Sequence, residues 1–226
     1  YDEADVSDKP AWVRSLPALD AAERERIDAL RRNQYRSLLA VDRALEAVLG
    51  ALRETGRLAN TLLVFTSDNG LAWGEHRWSK KEAPYDEVIR VPLVVRWDAG
   101  GVVAGSTPDA LALNVDLAPT IAEAVGVAAP GVEGRSLLPT LRGEPGASAR
   151  RDFLVEHLAG TNPVPTYCAV RTRTHLYVAY GPTDEHELYD LEADPYQLEN
   201  VVDAPEQASM VQGLRERLAE LCVPPP

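Results

Sequence analysis

The sequence predicts an α/β fold: part of a doubly wound mixed sheet with flanking helices, then a four-stranded antiparallel sheet with a helix packed on it. Three observations predict it. An amphipathic helical stretch precedes two short apolar runs, at 62–66 and 91–95, of the kind buried on both faces of a sheet. A glycine- and proline-rich stretch at 130–146 interrupts the chain. Beyond it the pattern changes to short β-rich segments separated by turn residues.

The elements follow in order. Residues 1–20 are polar and broken by prolines, and are expected to run over the surface. Asp20 is a candidate N-cap for a charged helix beginning at Ala21. Leu38, Val41, Leu45, Val48 and Leu52 recur in steps of three and four, which gives one apolar helical face. Gly56 is the expected stop. The runs at 62–66 and 91–95 are read as strands inside a parallel sheet. Asp116 is the candidate N-cap of a helix over 117–125 that Gly126 ends. Segments 153–157, 168–173, 176–180 and 187–189 are the expected antiparallel strands, with a tight hairpin at Thr174-His175. A closing helix over 206–221 places Met210, Leu214, Leu218 and Leu221 on one face. Two domains result: 1–135 as part of the α/β domain, and 136–226 as the antiparallel subdomain.

Composition narrows the function classes. Against 23 basic residues stand 35 acidic ones, for a formal charge of −12, so the overall field opposes nucleic-acid binding. No apolar run reaches the ~18 residues of a membrane span. Two cysteines, Cys168 and Cys222, do not make a disulfide framework, and whether they pair is left open.

Chemistry concentrates just after the first apolar run. Asp68-Asn69-Gly70 follows directly on it. In an open α/β sheet the carboxyl end of a strand is where ligands bind, and carboxylate and amide oxygens suit a hard divalent cation. A turn closed by Gly70 is the alternative reading of the triplet alone. Next comes a polar stretch holding His76, Arg77, Lys80 and Lys81, then Arg90 and Arg96. A cation site with lysines close behind it is a layout for holding an anionic ester. Trp73, Trp78 and Tyr85 around this block could line a sugar pocket, although core packing is the commoner fate of such residues.

These residues also carry a family resemblance. Thr66-Ser67-Asp68-Asn69-Gly70, Gly74-Glu75-His76, Lys81, Pro84-Tyr85-Asp86-Glu87 and Arg90-Val91-Pro92-Leu93 resemble the C-terminal half of a sulfatase of the alkaline-phosphatase-like superfamily. Asp116-Leu117-Ala118-Pro119-Thr120, Gly134-Arg135-Ser136-Leu137 and the stretch from Glu187 to Tyr196 match further landmarks in the same order. The resemblance implies a sulfuric ester hydrolase with a sulfate-ester substrate, a sulfated sugar being one candidate. It implies calcium held by Asp68 and Asn69, and Lys81 on the sulfate and leaving oxygens. Lys80 is the rival for that role, but counting back from Arg90-Val91-Pro92 favours Lys81. Arg77 and Lys80 are further substrate-binding candidates. His76 is a secondary catalytic candidate, with a structural role in bonding the Asp-Asn-Gly loop as its equal alternative.

The nucleophile motif of that family, Cys/Ser-x-Pro-x-Arg, which carries the formylglycine, does not occur here. Cys168 lacks the proline, and Cys222 lacks the arginine. The chain is therefore read as a fragment with half an active site, expected to be inactive alone and completed by the N-terminal half of the same enzyme. The missing start leaves secretion unread. A phosphodiesterase or phosphonate monoester hydrolase of the same superfamily is the alternative enzyme, because sulfate esters and phosphate diesters are both tetrahedral monoanions. A non-catalytic binding or assembly module is the alternative from another class.

Overall fold

The computed structural model describes residues 1–145, 147, 150–181 and 183–223. In chain order its helices are α1 (Ala11–Arg14), α2 (Ala21–Glu54), α3 (Asp86–Ile89), α4 (Leu117–Ala124), α5 (Leu138–Leu141) and α6 (Ala208–Leu221). The strands are β1 (Leu63–Thr66), β2 (Leu93–Arg96), β3 (Asp152–His157), β4 (Tyr167–Thr172), β5 (His175–Tyr180) and β6 (Glu185–Asp190). The chain divides into two compact units. One comprises residues 1–31, 69–90 and the chain from Arg151 on; the other comprises 32–68 and 91–150.

In the first unit, β3, β4, β5 and β6 form an antiparallel meander in sequence order, as expected. Successive residues of β4 face opposite sides of the sheet. Tyr167 and Ala169 enter a core with Val6, Trp12, Val13, Trp78, Ala83 and Tyr85. Cys168 and Val170 enter a second core with Tyr177, Leu188, Leu214 and Leu218. The β4–β5 turn sits one residue earlier than expected: Arg173 and Thr174 make it, and His175 already pairs with Asp190. Thr172 Oγ1 accepts from the Thr174 and His175 amides and so holds the turn.

Helix α6 presents Leu214 and Leu218 to the sheet, while Met210 stays exposed. Val211, one residue on, packs against the core in its place. Cys168 and Cys222 are joined by a disulfide that ties the end of α6 to β4 across 54 residues. Closing a loop of that length removes about 4 kcal/mol of unfolded-chain entropy.

The N-terminal segment is not a surface strap. Val6, Trp12 and Val13 are core residues, and Lys9 is fully buried. Its ammonium meets Glu3 Oε1 at 3.2 Å, Asp8 Oδ2 at 2.9 Å and the Leu198 carbonyl at 2.6 Å. A charge so surrounded can be buried, which a polar composition does not reveal. Asp20 caps α2 as expected, its Oδ1 accepting from the Glu23 amide at 2.8 Å. Gly56, at φ +66°, follows the end of α2 in the left-handed region.

The second unit holds β1 and β2. They pair with each other antiparallel, Leu63 opposite Arg96 and Thr66 opposite Leu93, not within a parallel ladder. Nor are they buried on both faces as expected, since Phe65 and Val94 are exposed, and strand direction leaves no mark in an apolar composition. The periodicity of α2 is helical as predicted, but Leu38, Val41, Leu45 and Val48 are exposed. Asp116 stands at the N-cap of α4, yet its carboxylate caps no α4 amide. It is buried, accepts from the Leu113 and Arg135 amides at 2.8 Å each, and pairs with Arg150. Gly126 (φ +70°) follows the helix.

Candidate functional site

Strand β1 ends at Thr66, and the next four residues make the Ser67–Gly70 loop. Asp68, the last residue of its stretch in the second unit, is exposed; Ser67 Oγ donates to its Oδ1 at 3.2 Å. Asn69 and Gly70 belong to the first unit. Asn69 Nδ2 donates to the Gly70 carbonyl at 2.6 Å. Gly70 N donates to the Val88 carbonyl at 2.7 Å. A Cβ on Gly70 would lie 2.0 Å from the Glu87 carbonyl oxygen, so only glycine lets the loop lie against α3.

Asp68 and Asn69 offer hard oxygen donors at successive positions, which fits calcium chemically. Among the described residues no group of three or more His, Cys, Asp or Glu could hold a metal.

Residues 72–80 double back on themselves, with Ala72 N donating to Lys80 O (3.1 Å) and Gly74 N to Trp78 O (2.8 Å). Lys80 and Lys81 have exposed side chains. The Lys80 ammonium lies 5.7 Å from the centre of the Trp78 ring. Trp78 itself is buried, and its Nε1 donates to the Lys81 carbonyl at 2.7 Å. Tyr167 OH donates to the Glu82 carbonyl at 2.9 Å. Asn69, Lys80 and Lys81 thus belong to one compact unit with the C-terminal sheet.

Two sequence candidates point elsewhere. His76 is buried, with its Nδ1 2.8 Å from Glu3 Oε2 and its ring 3.9 Å from that of Tyr85. The ring joins the N-terminal segment to the core. The Arg77 guanidinium donates to the carbonyls of Glu3 (3.0 Å), Ala4 (2.8 Å) and Leu16 (3.4 Å). It clamps the N-terminal segment, and those donors are not offered to an ester. Trp78 and Tyr85 are core residues too, whereas Trp73 is half-buried with Arg31 over its ring at 5.1 Å.

A buried polar cluster supports this loop, and sequence reasoning passed over it. Glu187 is fully buried and accepts from Tyr85 OH at 3.0 Å, Tyr180 OH at 2.7 Å and Tyr189 OH. Burial pushes its carboxyl above the ordinary value, while the three phenols and nearby His76 oppose that rise. Burial likewise raises Glu87. A signal existed: Glu187 and Tyr189, two apart in a strand, must share a face. Asp86 is locked similarly, by the Arg171 guanidinium at 3.0 Å through two nitrogens and by Gln197 Oε1 on its amide at 2.8 Å.

The N-sulphoglucosamine sulphohydrolase C-terminal family matches residues 74–223, and the sulfatase family matches residues 4–127. The chain belongs to the sulfatase family. An N-acetylglucosamine-6-O-sulfatase of Bacteroides thetaiotaomicron is 34% identical over 200 residues, 84% of this sulfatase chain and 35% of the relative. A solved structure in complex with its substrate D-glucosamine-2-N,6-O-disulfate superposes with a TM-score of 0.76 at 34% identity, covering 81% of this chain and 38% of that one. A phosphonate monoester hydrolase of Agrobacterium radiobacter gives a TM-score of 0.75 at 25% identity, covering 86% and 41%. The chain thus spans 35–41% of the length of these three relatives.

Proposed function

We propose that this chain is the C-terminal portion of a calcium-dependent sulfatase that hydrolyses a sulfate ester of an N-acetylglucosamine-type sugar. The observation that carries the reading is the Asn69–Lys81 segment: a loop bearing the Asn69 amide oxygen and docked through Gly70, followed by an exposed lysine with a fixed backbone. Membership in the family supports the reaction class. The substrate of the solved relative, and the name of the 34% identical enzyme, support the sugar.

In this reading Asp68 and Asn69 contribute two calcium ligands, and the ion, when bound, supplies positive charge to the ester oxygens. Lys81 holds a sulfate oxygen and stabilises the charge that grows on the leaving oxygen as the S–O bond breaks. A compact ammonium with three donors suits that task. Lys80 adds positive potential at the entrance. Glu3 and Tyr85 hold His76 as a positioning group, and Arg77 braces the same loop. No Cys/Ser-x-Pro-x-Arg occurs in the 226 residues, so the formylglycine nucleophile is assigned to the part of the enzyme outside this chain. The exposed Leu38–Val48 stripe of α2 is assigned to contact with that part, since an amphipathic helix buries its apolar face against a partner.

The phosphonate hydrolase neighbour keeps a second reading, hydrolysis of a phosphonate monoester or phosphate diester. The full-length enzyme, incubated with calcium, should release sulfate from N-acetylglucosamine-6-sulfate faster than it cleaves a phosphonate monoester. The reverse preference selects the second reading.

A further inference from the structure

The conformation that presents Lys81 is unusual, and two buried side chains hold it from either side. Glu82, the next residue, has φ +74°, a left-handed conformation that a residue with a side chain seldom adopts. The peptide planes flanking its Cα carry the carbonyls of Lys81 and Glu82. Trp78 Nε1 donates to the first at 2.7 Å, and Tyr167 OH to the second at 2.9 Å.

Both donors are themselves fixed. Trp78 is 5% exposed and meets Trp12 edge-on at 5.7 Å. Tyr167 is 2% exposed, sits on β4 opposite Tyr180, and meets that ring edge-on at 5.8 Å. Burial pushes the Tyr167 phenol far above its ordinary value, so it remains a donor throughout the working pH range. Downstream, Ala83 and Tyr85 are anchored in the same core. The exposed lysine therefore stands on a loop whose backbone has little freedom to turn.

Resting on the reading of Lys81 as the ester-binding cation, we propose that Trp78 and Tyr167 are positioning residues for Lys81. They act through the two peptide planes around Glu82. The C-terminal sheet then contributes to the reaction by setting the direction of the lysine, without touching substrate.

The test is a double-mutant cycle in the full-length enzyme, with N-acetylglucosamine-6-sulfate as the probe. Tyr167→Phe removes one O–H and keeps the ring. It should lower kcat about tenfold while KM changes less than about threefold, because geometric misplacement of a reacting group is costly. Lys81→Ala alone should lower kcat by ~10²–10³. In the Lys81→Ala background, Tyr167→Phe should change kcat less than about twofold, because residues acting through one contact are not additive. Trp78→Phe should repeat this pattern if Tyr167→Phe folds poorly.

A tenfold loss from Tyr167→Phe in both backgrounds would mean a merely structural tyrosine and overturns the proposal. So does a Tyr167→Phe enzyme with full kcat while Lys81→Ala is crippled, which leaves the Lys81 reading standing. A Lys81→Ala enzyme with near-parent turnover removes both.

Discussion

Replacing Gly70 with alanine places a methyl carbon 2.0 Å from the Glu87 carbonyl oxygen, 2.9 Å from its carbon and 3.0 Å from the Val88 carbonyl oxygen. All three obstacles are backbone, so no side chain can rotate away. The loop must retreat, and the 2.7 Å bond from Gly70 N to the Val88 carbonyl breaks as it does. Losing that bond and leaving its partners poorly satisfied costs about 1–3 kcal/mol, and residual strain brings the total to roughly 2–4 kcal/mol, in the range of clashing core substitutions. Asn69 moves with the loop, and a shift on the order of 1 Å can lower turnover by about 10²-fold. Thermal unfolding with and without calcium, and kcat of the full-length Gly70→Ala enzyme, read these effects. The variant should melt lower, gain less from calcium and turn over slowly. Parent-like values in all three would refute the close approach of this loop to α3.

Two further outcomes follow from the same geometry. Asp68→Ala in the full-length enzyme should weaken calcium binding and slow turnover, because an anionic ligand of a divalent ion is lost; equal affinities by calcium titration would remove the metal assignment. Glu187→Gln should alter how stability depends on pH. Since burial raises the Glu187 carboxyl above 4.5, the folded protein holds this proton more tightly than the unfolded chain. Its contribution to stability is greatest at or below pH 4.5 and falls as pH rises through the raised value. Glutamine does not titrate, so the melting temperature of the variant should gain on the parent as pH increases above 4.5; a difference constant with pH contradicts the assignment.

Much of the local structure was readable because it depends on near neighbours. Asp20 and Gly56 bracket α2 through contacts within a turn, and Leu214 and Leu218 follow the helical period. The four C-terminal strands announce themselves by β-rich composition and turn residues. What escaped depends on distant partners. The buried Lys9 ammonium donates a hydrogen bond to the carbonyl of Leu198, 189 positions away. His76 turns inward to Glu3 across 73 positions, and Tyr85 reaches Glu187 across 102. Histidine and arginine in a polar block look alike whether they face a substrate or clamp a neighbouring segment, as Arg77 does with the Glu3, Ala4 and Leu16 carbonyls. Lys80 and Lys81 differ only in register, and the two carbonyl bonds around Lys81 and Glu82 have no counterpart in composition.

Sulfate release from N-acetylglucosamine-6-sulfate by the full-length enzyme, compared among parent, Lys81→Ala and Lys80→Ala, tests the central claim most directly. The parent should release sulfate. Lys81→Ala should lose ~10²–10³ in kcat, the usual cost of removing a group that stabilises developing charge, and Lys80→Ala should chiefly raise KM. A parent that releases no sulfate, or two lysine variants that both stay within about threefold of it in kcat, would contradict the assignment of this segment to the ester-binding site.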